Sequence, residues 1–307
     1  MDLHSYFEHA VAAAAQACLP WIGKGDKVSA DQAAVQAMRQ VLNTAPMAGR
    51  IVIGEGERDK APMLHIGEEL GTGGPAIDMA VDPLEGTTLC AENRPGALCV
   101  LAYAPRGDLL HAPDIYMQKL CVGPGLSLCP SDMDLPLDAL IARLSAQRAP
   151  APLRVLMLDR PRHRAWIDQV RATGADLDLI SDGDVMGCLQ TVLSLGEAPP
   201  AYDLYVGIGG APEGVLAASG VPHLGGTFLG RLHASTPDEH LRAQRLNITD
   251  LDQIYSSHDL AAPTATLVIS GVTAHVLDGV RDHHATVLCL GAQGLRQRQV
   301  NLTPLPA

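Results

Sequence analysis

Three short runs of this 307-residue chain combine acidic side chains with glycine or proline where an apolar stretch ends, at residues 54–57, 82–88 and 207–213. Tight turns at strand ends hold carboxylates in place. Hard divalent cations are bound through a few such carboxylates together with oxygens of a substrate phosphate. The three runs therefore predict a Mg²⁺ or Mn²⁺ site that acts on a phosphorylated substrate.

The central run reads Asp82-Pro-Leu-Glu-Gly-Thr-Thr88 and follows an apolar stretch that ends at Val81. Because proline has no N–H for ladder pairing, we expect the strand to stop there. The turn would then direct Asp82, Glu85 and the Thr87 hydroxyl to one side. Two carboxylates can share or bridge a metal, and the hydroxyl can position a water. The alternative is an ordinary Asp-Pro turn with a solvated Glu85.

The two flanking runs support the same chemistry less directly. After the predicted strand 50–53, alternation puts Glu55 and Glu57 on the same side, so that one can be a ligand with the other behind it. Glu213 lies in the first turn of a predicted helix, where an acidic residue also simply complements the helix dipole. Asp31 is a further candidate that can reach the metal cluster, or it is a solvated charge.

Basic residues supply candidate phosphate contacts in an otherwise acidic chain. The segment 160–164 reads Arg-Pro-Arg-His-Arg and is predicted to clamp a phosphate. Lys27 lies in a glycine-rich loop and is a second phosphate candidate, or a solvated charge. The run 182–184, Asp-Gly-Asp, can accept hydrogen bonds from sugar hydroxyls or cap the helix that follows.

Composition limits the partners and the compartment. The net charge of −12 argues against nucleic acid and anionic membranes, because both require a basic face. No apolar run approaches the length of a membrane span. Seven cysteines without a Cys-x-x-Cys pair are typical of a reducing cytoplasm, so we expect a cytoplasmic protein.

The hydrophobic pattern predicts an α/β protein. Helices are expected at 3–19, 61–70 and 30–42, the last with Ser29 and Gln32 at capping-box spacing. Early strands are expected at 50–53, 76–81, 96–103 and 115–122. From 153 onward, strands at 153–158, 176–180 and 204–208 alternate with helices at 162–173 and 185–195. A Pro- and Ala-rich stretch at 146–152 suggests an N-terminal α+β metal-binding subdomain, 1–145, and a C-terminal α/β subdomain, 146–307.

Taken together, the runs resemble the class II fructose-1,6-bisphosphatase family of bacteria, within the lithium-sensitive sugar and inositol phosphatase superfamily. The resemblance covers most of the chain and is carried by residues 25–27, 30–31, 53–57, 61–64, 81–87, 112–114, 116–117, 161–163, 182–185 and 207–215. Arg164 and Gln118 depart from the acidic residues usual in the family, which leaves sugar selectivity and subunit contacts open.

The resemblance implies a layered α-β-α-β-α sandwich, a homodimer or homotetramer, and metal-dependent hydrolysis of fructose 1,6-bisphosphate to fructose 6-phosphate. Asp31 and Glu55 would serve one metal, and Asp82, Glu85 and Glu213 another. Thr87 would orient the attacking water with help from Glu57. The implied substrate contacts are Lys27, Glu85, Gly86, Thr87, Tyr116, Arg162, His163, Arg164, Asp182, Gly183, Asp184 and Gly210.

Other functions remain open at this point. Sedoheptulose 1,7-bisphosphate shares the ketose 1-phosphate end and would suit the same metal site. An inositol phosphatase matches the third run and the arginine segment less well. A non-catalytic sugar-phosphate sensor would not need every proposed ligand together with Thr87. A nicotinamide-dependent enzyme is disfavoured because no Gly-x-Gly-x-x-Gly follows the first strand.

Overall fold

The computed structural model describes residues 2–55, 63–196 and 198–303. Its α-helices are α1 Leu3–Cys18, α2 Lys27–Leu42, α3 Thr87–Ala91, α4 Leu137–Arg148, α5 Arg164–Ala172, α6 Asp184–Leu189, α7 Ala211–Gly220, α8 Pro237–Arg245 and α9 Ser257–Leu260. Its strands are β1 Ala48–Ile53, β2 Glu69–Leu70, β3 Ala76–Glu85, β4 Leu98–Pro105, β5 Tyr116–Val122, β6 Arg154–Leu158, β7 Asp176–Ile180, β8 Leu204–Gly210, β9 Thr227–His233, β10 Ile254–Ser256, β11 Thr266–Gly271, β12 His284–Gly291 and β13 Gly294–Asn301.

The chain divides into two compact units. The first comprises Met1–His111 with Thr264–Ala307, and the second comprises Ala112–Pro263. This division differs from the subdomains 1–145 and 146–307 expected from the sequence. The reason is non-local pairing, since β11 returns from the C-terminal part of the chain to pair with β4 in the first sheet. The Pro- and Ala-rich composition of residues 146–152 carries no information about which distant strands pair.

A seven-stranded mixed sheet forms the centre of the first unit, in the order β13-β12-β11-β4-β3-β1-β2. Strands β1 and β3 run parallel, and the other neighbours are antiparallel. Helix α1 packs against α2 and against β4, β11 and β12. It is rich in alanine, and Ala10, Ala12, Ala14 and Ala15 are fully buried. Small side chains let the helix approach its neighbours closely on almost every side.

Helix α2 begins three residues earlier than the sequence predicted. Its N-cap is Asp26, whose Oδ1 accepts a hydrogen bond of 3.0 Å from the backbone N–H of Ser29. Ser29 is therefore inside the first turn, and the predicted capping box at Ser29 is wrong. Asp and Ser are about equally good N-caps, so the earlier one was equally available in the sequence.

The second unit is built on a six-stranded mixed sheet in the order β10-β9-β5-β8-β6-β7. Strand β6 is parallel to β7 and to β8, which confirms the predicted βαβ alternation in this part of the chain. Helix α6 ends at Leu189 and is shorter than the predicted helix 185–195. The predicted helix 61–70 is also wrong over 63–70, which contains turns and β2. Its first two residues lie outside the described part of the chain.

Two mixed sheets with flanking helices confirm the predicted α/β class. Within the described residues, no helix has the length and apolar character required to cross a bilayer.

Enlarging a buried alanine of α1 should destabilise the first unit. In Ala14→Leu the added carbons have no space, because Ala14 is fully buried, and overpacking of this kind typically costs about 1–3 kcal/mol. Ala17→Leu, at a partly exposed position of the same helix, should cost less. Urea unfolding of both variants checks this. Equal free energies of unfolding would contradict the tight packing of α1.

Candidate active site

The end of β3 does not follow the sequence-based expectation. The strand continues through Pro83 to Glu85 instead of stopping at Val81. Asp82 pairs with Val100 and Glu85 with Leu98, so β3 uses one more residue than β4 over this interval. Such a β-bulge leaves one residue outside the regular ladder, and proline, which cannot donate, is tolerated there.

The bulge explains how two carboxylates three residues apart can act together. In a regular strand, residues 82 and 85 would point to opposite faces, because side chains alternate. One extra residue reverses that alternation and returns both side chains to the same face. Asp82 is half-buried and Glu85 is 5% exposed. The register therefore places two acidic residues on one face of the sheet, with little water around Glu85.

Helix α3 starts immediately after this bulge. Gly86 has φ of +79°, a left-handed conformation that favours glycine, and the chain turns there from strand into helix. Thr87 is the first helical residue and is half-buried. Lys27, at the start of α2, donates a 2.8 Å hydrogen bond from Nζ to Oγ1 of Thr88. The predicted residues Glu85, Gly86, Thr87 and Lys27 thus belong to neighbouring pieces of one unit.

Asp31 and Glu55 form a second acidic pair in the first unit. Burial, and to a smaller extent the nearby charge of Asp31, together raise the pKa of Glu55 to about 7. Burial also raises the pKa of Asp31. Both effects disfavour two ionised groups in this position, so a bound cation would be stabilised by them. Glu57, the predicted partner of Thr87, lies outside the described residues.

The second unit contains a buried charge cluster around Lys119. Nζ of Lys119 donates to Asp184 Oδ2, and the Tyr205 hydroxyl donates to Asp184 Oδ1. Lys119 is completely buried, and its pKa is raised by the charges of Asp184 and Glu213 although burial acts in the opposite direction. Asp184, expected to contact substrate, therefore has both carboxylate oxygens engaged by protein groups.

Glycines of β8 give this cluster its space. A Cβ at Gly209 would clash with the carboxylate of Asp184, and a Cβ at Gly210 would clash with that of Glu213. Burial raises the pKa of Glu213, while Lys119 opposes this shift. The carboxylate of Glu213 therefore lies against Gly210, so these two predicted residues are adjacent.

The basic segment separates into an exposed and a buried part. Arg162 is exposed, its guanidinium donates twice to Ile208 O at 2.8 and 2.6 Å, and it lies 4.5 Å from the centre of the Tyr116 ring. His163 is fully buried. Its Nδ1–H donates to Leu158 O and its Nε2 accepts from Ile208 N, both at 2.8 Å. His163 is therefore neutral and supports the turn, with its pKa lowered by burial.

The remaining predicted contacts surround the start of α6 and α5. Asp182 lies 3.6 Å from the Arg160 guanidinium, and Gly183 has φ of +95° at the N-cap of α6. Arg164 is the first residue of α5 and is exposed. Residue types and spacing made Lys119 only a weaker candidate for a phosphate contact and gave no role to Tyr205. A lysine inside an otherwise apolar strand was the available signal for the first, and nothing distinguished the second.

Among the described residues, one group of three potential ligands has all its ligand atoms within 4.8 Å of one another, namely His4, Glu8 and Cys289. None of the predicted carboxylates belongs to it. Arg296 contacts Nε2 of His4, and Arg298 lies 3.5 Å from the Glu8 carboxylate. The group is therefore already supplied with positive charge, and its mixture of nitrogen, sulfur and oxygen donors differs from what a hard cation prefers.

Removal of Lys119 should destabilise the second unit strongly. Lys119→Met leaves the carboxylate of Asp184 buried without its cation, which typically costs about 3–5 kcal/mol. Adding Asp184→Asn in the same chain should recover part of that loss, because no buried charge then remains at residue 184. Urea unfolding of the single and double variants measures both effects. A double variant no more stable than the single one would contradict the pairing.

Stability of the metal-free protein should depend on pH through Glu55. Its folded-state pKa of about 7 exceeds its ordinary value of 4.5, so the folded state binds more protons between these values. The contribution of Glu55 to stability therefore falls as pH rises from about 4.5 through 7. Glu55→Gln should raise the melting temperature at pH 8 more than at pH 5. Glu69→Gln, on an exposed side chain of β2, is the control and should show no such pattern. A Glu55→Gln effect independent of pH would exclude the raised pKa.

Comparison with known proteins gives one family. The model of the family described as bacterial fructose-1,6-bisphosphatase, glpX-encoded, matches residues 1–291. A protein of Prochlorococcus marinus (strain MIT 9303) named D-fructose 1,6-bisphosphatase class 2/sedoheptulose 1,7-bisphosphatase is 42% identical over 285 residues, covering 87% of this chain and 83% of its own.

A protein of the same name from Synechococcus elongatus is 41% identical over 302 residues, covering 88% of this chain and 86% of its own. Another, from Synechococcus sp. (strain CC9311), is 43% identical over 279 residues, covering 84% and 81% respectively. The family resemblance stated from the sequence is confirmed. The chain belongs to the glpX-encoded, class II family of bacterial fructose-1,6-bisphosphatases.

Proposed function

We propose that this chain hydrolyses fructose 1,6-bisphosphate to fructose 6-phosphate and phosphate in a reaction that requires a divalent metal. The observation that carries the proposal is the bulged end of β3, which turns Asp82 and Glu85 to one face and continues directly into Gly86 and Thr87. Membership of the bisphosphatase family supports the substrate class.

The acidic residues of the first unit fit a hard divalent cation. Asp31, Glu55, Asp82 and Glu85 supply only oxygen donors, as Mg²⁺ and Mn²⁺ prefer. Burial and repulsion by Asp31 raise the pKa of Glu55. A cation that neutralises Asp31 and Glu55 would therefore stabilise this pair. Glu213 of the second unit is also a proposed ligand. A bound divalent metal would supply Lewis-acid stabilisation of phosphate charge and would lower the pKa of a bound water.

The protein's own groups have separate proposed tasks. The Thr87 hydroxyl orients the attacking water. Glu57 is the proposed group that assists by accepting a proton from that water. Lys27 is a phosphate contact. In the second unit, Arg162 and Arg164 bind the phosphate that is not cleaved, and Tyr116, Asp182, Gly183 and Gly210 line the substrate. Because Asp184 and His163 are engaged internally, we assign them the support of these contacts.

Sedoheptulose 1,7-bisphosphate is the second proposed substrate, because relatives such as those from Prochlorococcus and Synechococcus carry both activities in their names. We also propose a place in the lithium-sensitive phosphatase superfamily, a homodimer or homotetramer, and a cytoplasmic location. A non-catalytic sugar-phosphate sensor is the competing class of function.

Phosphate release tests the proposal. Purified protein freed of metal with EDTA should release no phosphate from fructose 1,6-bisphosphate, and addition of Mg²⁺ or Mn²⁺ should restore release. Sedoheptulose 1,7-bisphosphate and inositol 1-phosphate complete the panel. Binding of fructose 1,6-bisphosphate without metal-dependent release from any substrate would indicate a sensor and exclude the proposed hydrolysis.

Thr87 should contribute through its hydroxyl. Thr87→Ser retains that group and should retain part of the turnover. Thr87→Ala should lose about 100-fold or more, a typical cost of losing a group that orients a nucleophile. The neighbouring Thr88→Ala keeps the Thr87 hydroxyl and removes the hydrogen bond from Lys27, so it should lose much less turnover than Thr87→Ala. Turnover of Thr87→Ala at the wild-type level would exclude the proposed role.

Arg162 should act on substrates that carry a second phosphate. Loss of binding remote from the reaction raises KM and can also lower kcat. Arg162→Ala should therefore raise the KM for fructose 1,6-bisphosphate about tenfold or more and affect p-nitrophenyl phosphate little. Arg164→Ala should have the smaller effect, because Arg164 departs from the family pattern. An equal loss on both substrates would mean that Arg162 supports the fold through Ile208 instead.

A further inference from the structure

A cavity of about 380 Å³ lies at the end of the second sheet where β6 and β8 begin. Its walls include Arg148 at the end of α4, Arg154 at the start of β6, and Asp203 just before β8. Arg162 and Gly210 lie at the other ends of the same strands. Strand β8 has seven residues, which corresponds to roughly 20 Å at about 3.3 Å per residue. The cavity is therefore separate from the residues proposed for hydrolysis.

The acidic group of this cavity has no capacity left for a ligand. Asp203 Oδ1 accepts from Nε of Arg148 at 3.0 Å and from Nη2 of Arg154 at 2.8 Å. Its Oδ2 accepts from the backbone N–H of Arg154 at 2.9 Å and from Nε of Arg154 at 3.0 Å. Four accepted hydrogen bonds fill the lone-pair sites of a carboxylate. A cation or a donor group entering the cavity would therefore find no free oxygen on Asp203.

The remaining hydrogen-bonding capacity belongs to donors. Arg154 binds Asp203 through Nε and Nη2, along one edge of its guanidinium, whereas Arg148 binds it through Nε alone. In the described part of the chain, the two terminal nitrogens of Arg148 make no observed hydrogen bond. The side-chain amide of Gln147 accepts from Ser127 through its oxygen, at 3.1 Å, which leaves its NH₂ group for another partner. These donors are therefore available to an acceptor that enters the cavity.

The charge of the cavity also favours an anion. Two guanidinium groups against one carboxylate leave a single positive charge, in a chain whose net charge is −12. Asp178 accepts the hydroxyl hydrogen of Tyr202 at 2.9 Å and is not part of the wall. Local positive charge within a low-dielectric recess concentrates anions.

Much of the remaining wall is apolar. Pro124, Leu126, Pro199, Pro200 and the ring of Tyr202 line it. Pro124 and Gly125 occupy the centre of a turn closed by a 3.3 Å hydrogen bond from Leu126 N to Gly123 O, with φ of +88° at Gly125, as a type II turn requires. The volume falls in the range of small-molecule sites, which combine apolar walls with a few polar groups.

We propose that this cavity is a second ligand site that binds a small organic anion, with its phosphate or carboxylate group on Arg148 and Gln147 and its apolar body against the proline-rich wall. The site does not depend on the proposed hydrolytic activity.

The test measures binding of two probes, phenylphosphonate and benzoate, to the full chain in EDTA by calorimetry. Arg148→Gln is compared with Arg143→Gln, a matched control on the same helix whose side chain is also 34% exposed and also pairs with an aspartate. Loss of a charge-assisted hydrogen bond costs about 1.5–3 kcal/mol, so Arg148→Gln should weaken binding about 10-fold to 100-fold. Arg143→Gln and Arg162→Gln should bind as the wild type does. The stronger probe identifies which anionic group the site prefers.

A second readout uses the unchanged protein. Phenylglyoxal modifies arginine, and the stronger probe should protect Arg148 from it but leave Arg143 unprotected, as measured by mass spectrometry of peptides. Absence of saturable binding of both probes, equal binding to Arg148→Gln, or equal binding of neutral benzyl alcohol would overturn the proposal. Loss of binding in Arg162→Gln would also overturn it, because the anion would then occupy the candidate active site.

Discussion

Repulsion between the carboxylates of Asp31 and Glu55 is the constraint on which the candidate site of the first unit depends. Burial and the nearby charge of Asp31 together raise the pKa of Glu55 to about 7, and the bulge in β3 brings Asp82 and Glu85 to one face of the sheet. A chain with a net charge of −12 gains nothing in stability from such pairs by themselves. The proposed metal gives them a function, since the same repulsion that costs stability in the metal-free protein would favour a divalent cation. The helices and strands around them hold the groups in place against that repulsion.

The second unit meets a similar constraint with a cation of its own. Lys119 lies fully buried between the charges of Asp184 and Glu213, and Tyr205 completes the hydrogen bonds of Asp184. Glycines at 209 and 210 leave room for the two carboxylates. Burial still raises the pKa of Glu213, so Lys119 does not fully compensate for it. This difference separates the two acids: Asp184 is held by the protein, whereas Glu213 remains suited to an external cation.

Local patterns predicted much of this structure, and long-range pairing explains the rest. The periodicity of apolar residues correctly predicted α1, β7 and the βαβ alternation of the second unit. It did not show that β11 returns to pair with β4, because pairing partners far apart in sequence leave no local signal. At the site, residue types and spacing indicated the acidic runs, but alternation alone would have put Asp82 and Glu85 on opposite faces. The bulge is visible only in the pairing of β3 with β4. The role of Lys119 as the buried partner of Asp184 is likewise visible only in the folded second unit.

Direct measurement of Mn²⁺ binding to the metal-free protein tests the central claim, that the acidic pairs of the first unit form a cation site. Electron paramagnetic resonance counts free Mn²⁺ without any substrate. The wild type should bind Mn²⁺ saturably, and Asp82→Asn should weaken that binding about 100-fold, because a neutral amide cannot replace a carboxylate at a hard cation. Cys289→Ser, in the His4, Glu8 and Cys289 group, should bind as the wild type does. Unchanged affinity in Asp82→Asn, or loss of binding in Cys289→Ser, would contradict the account.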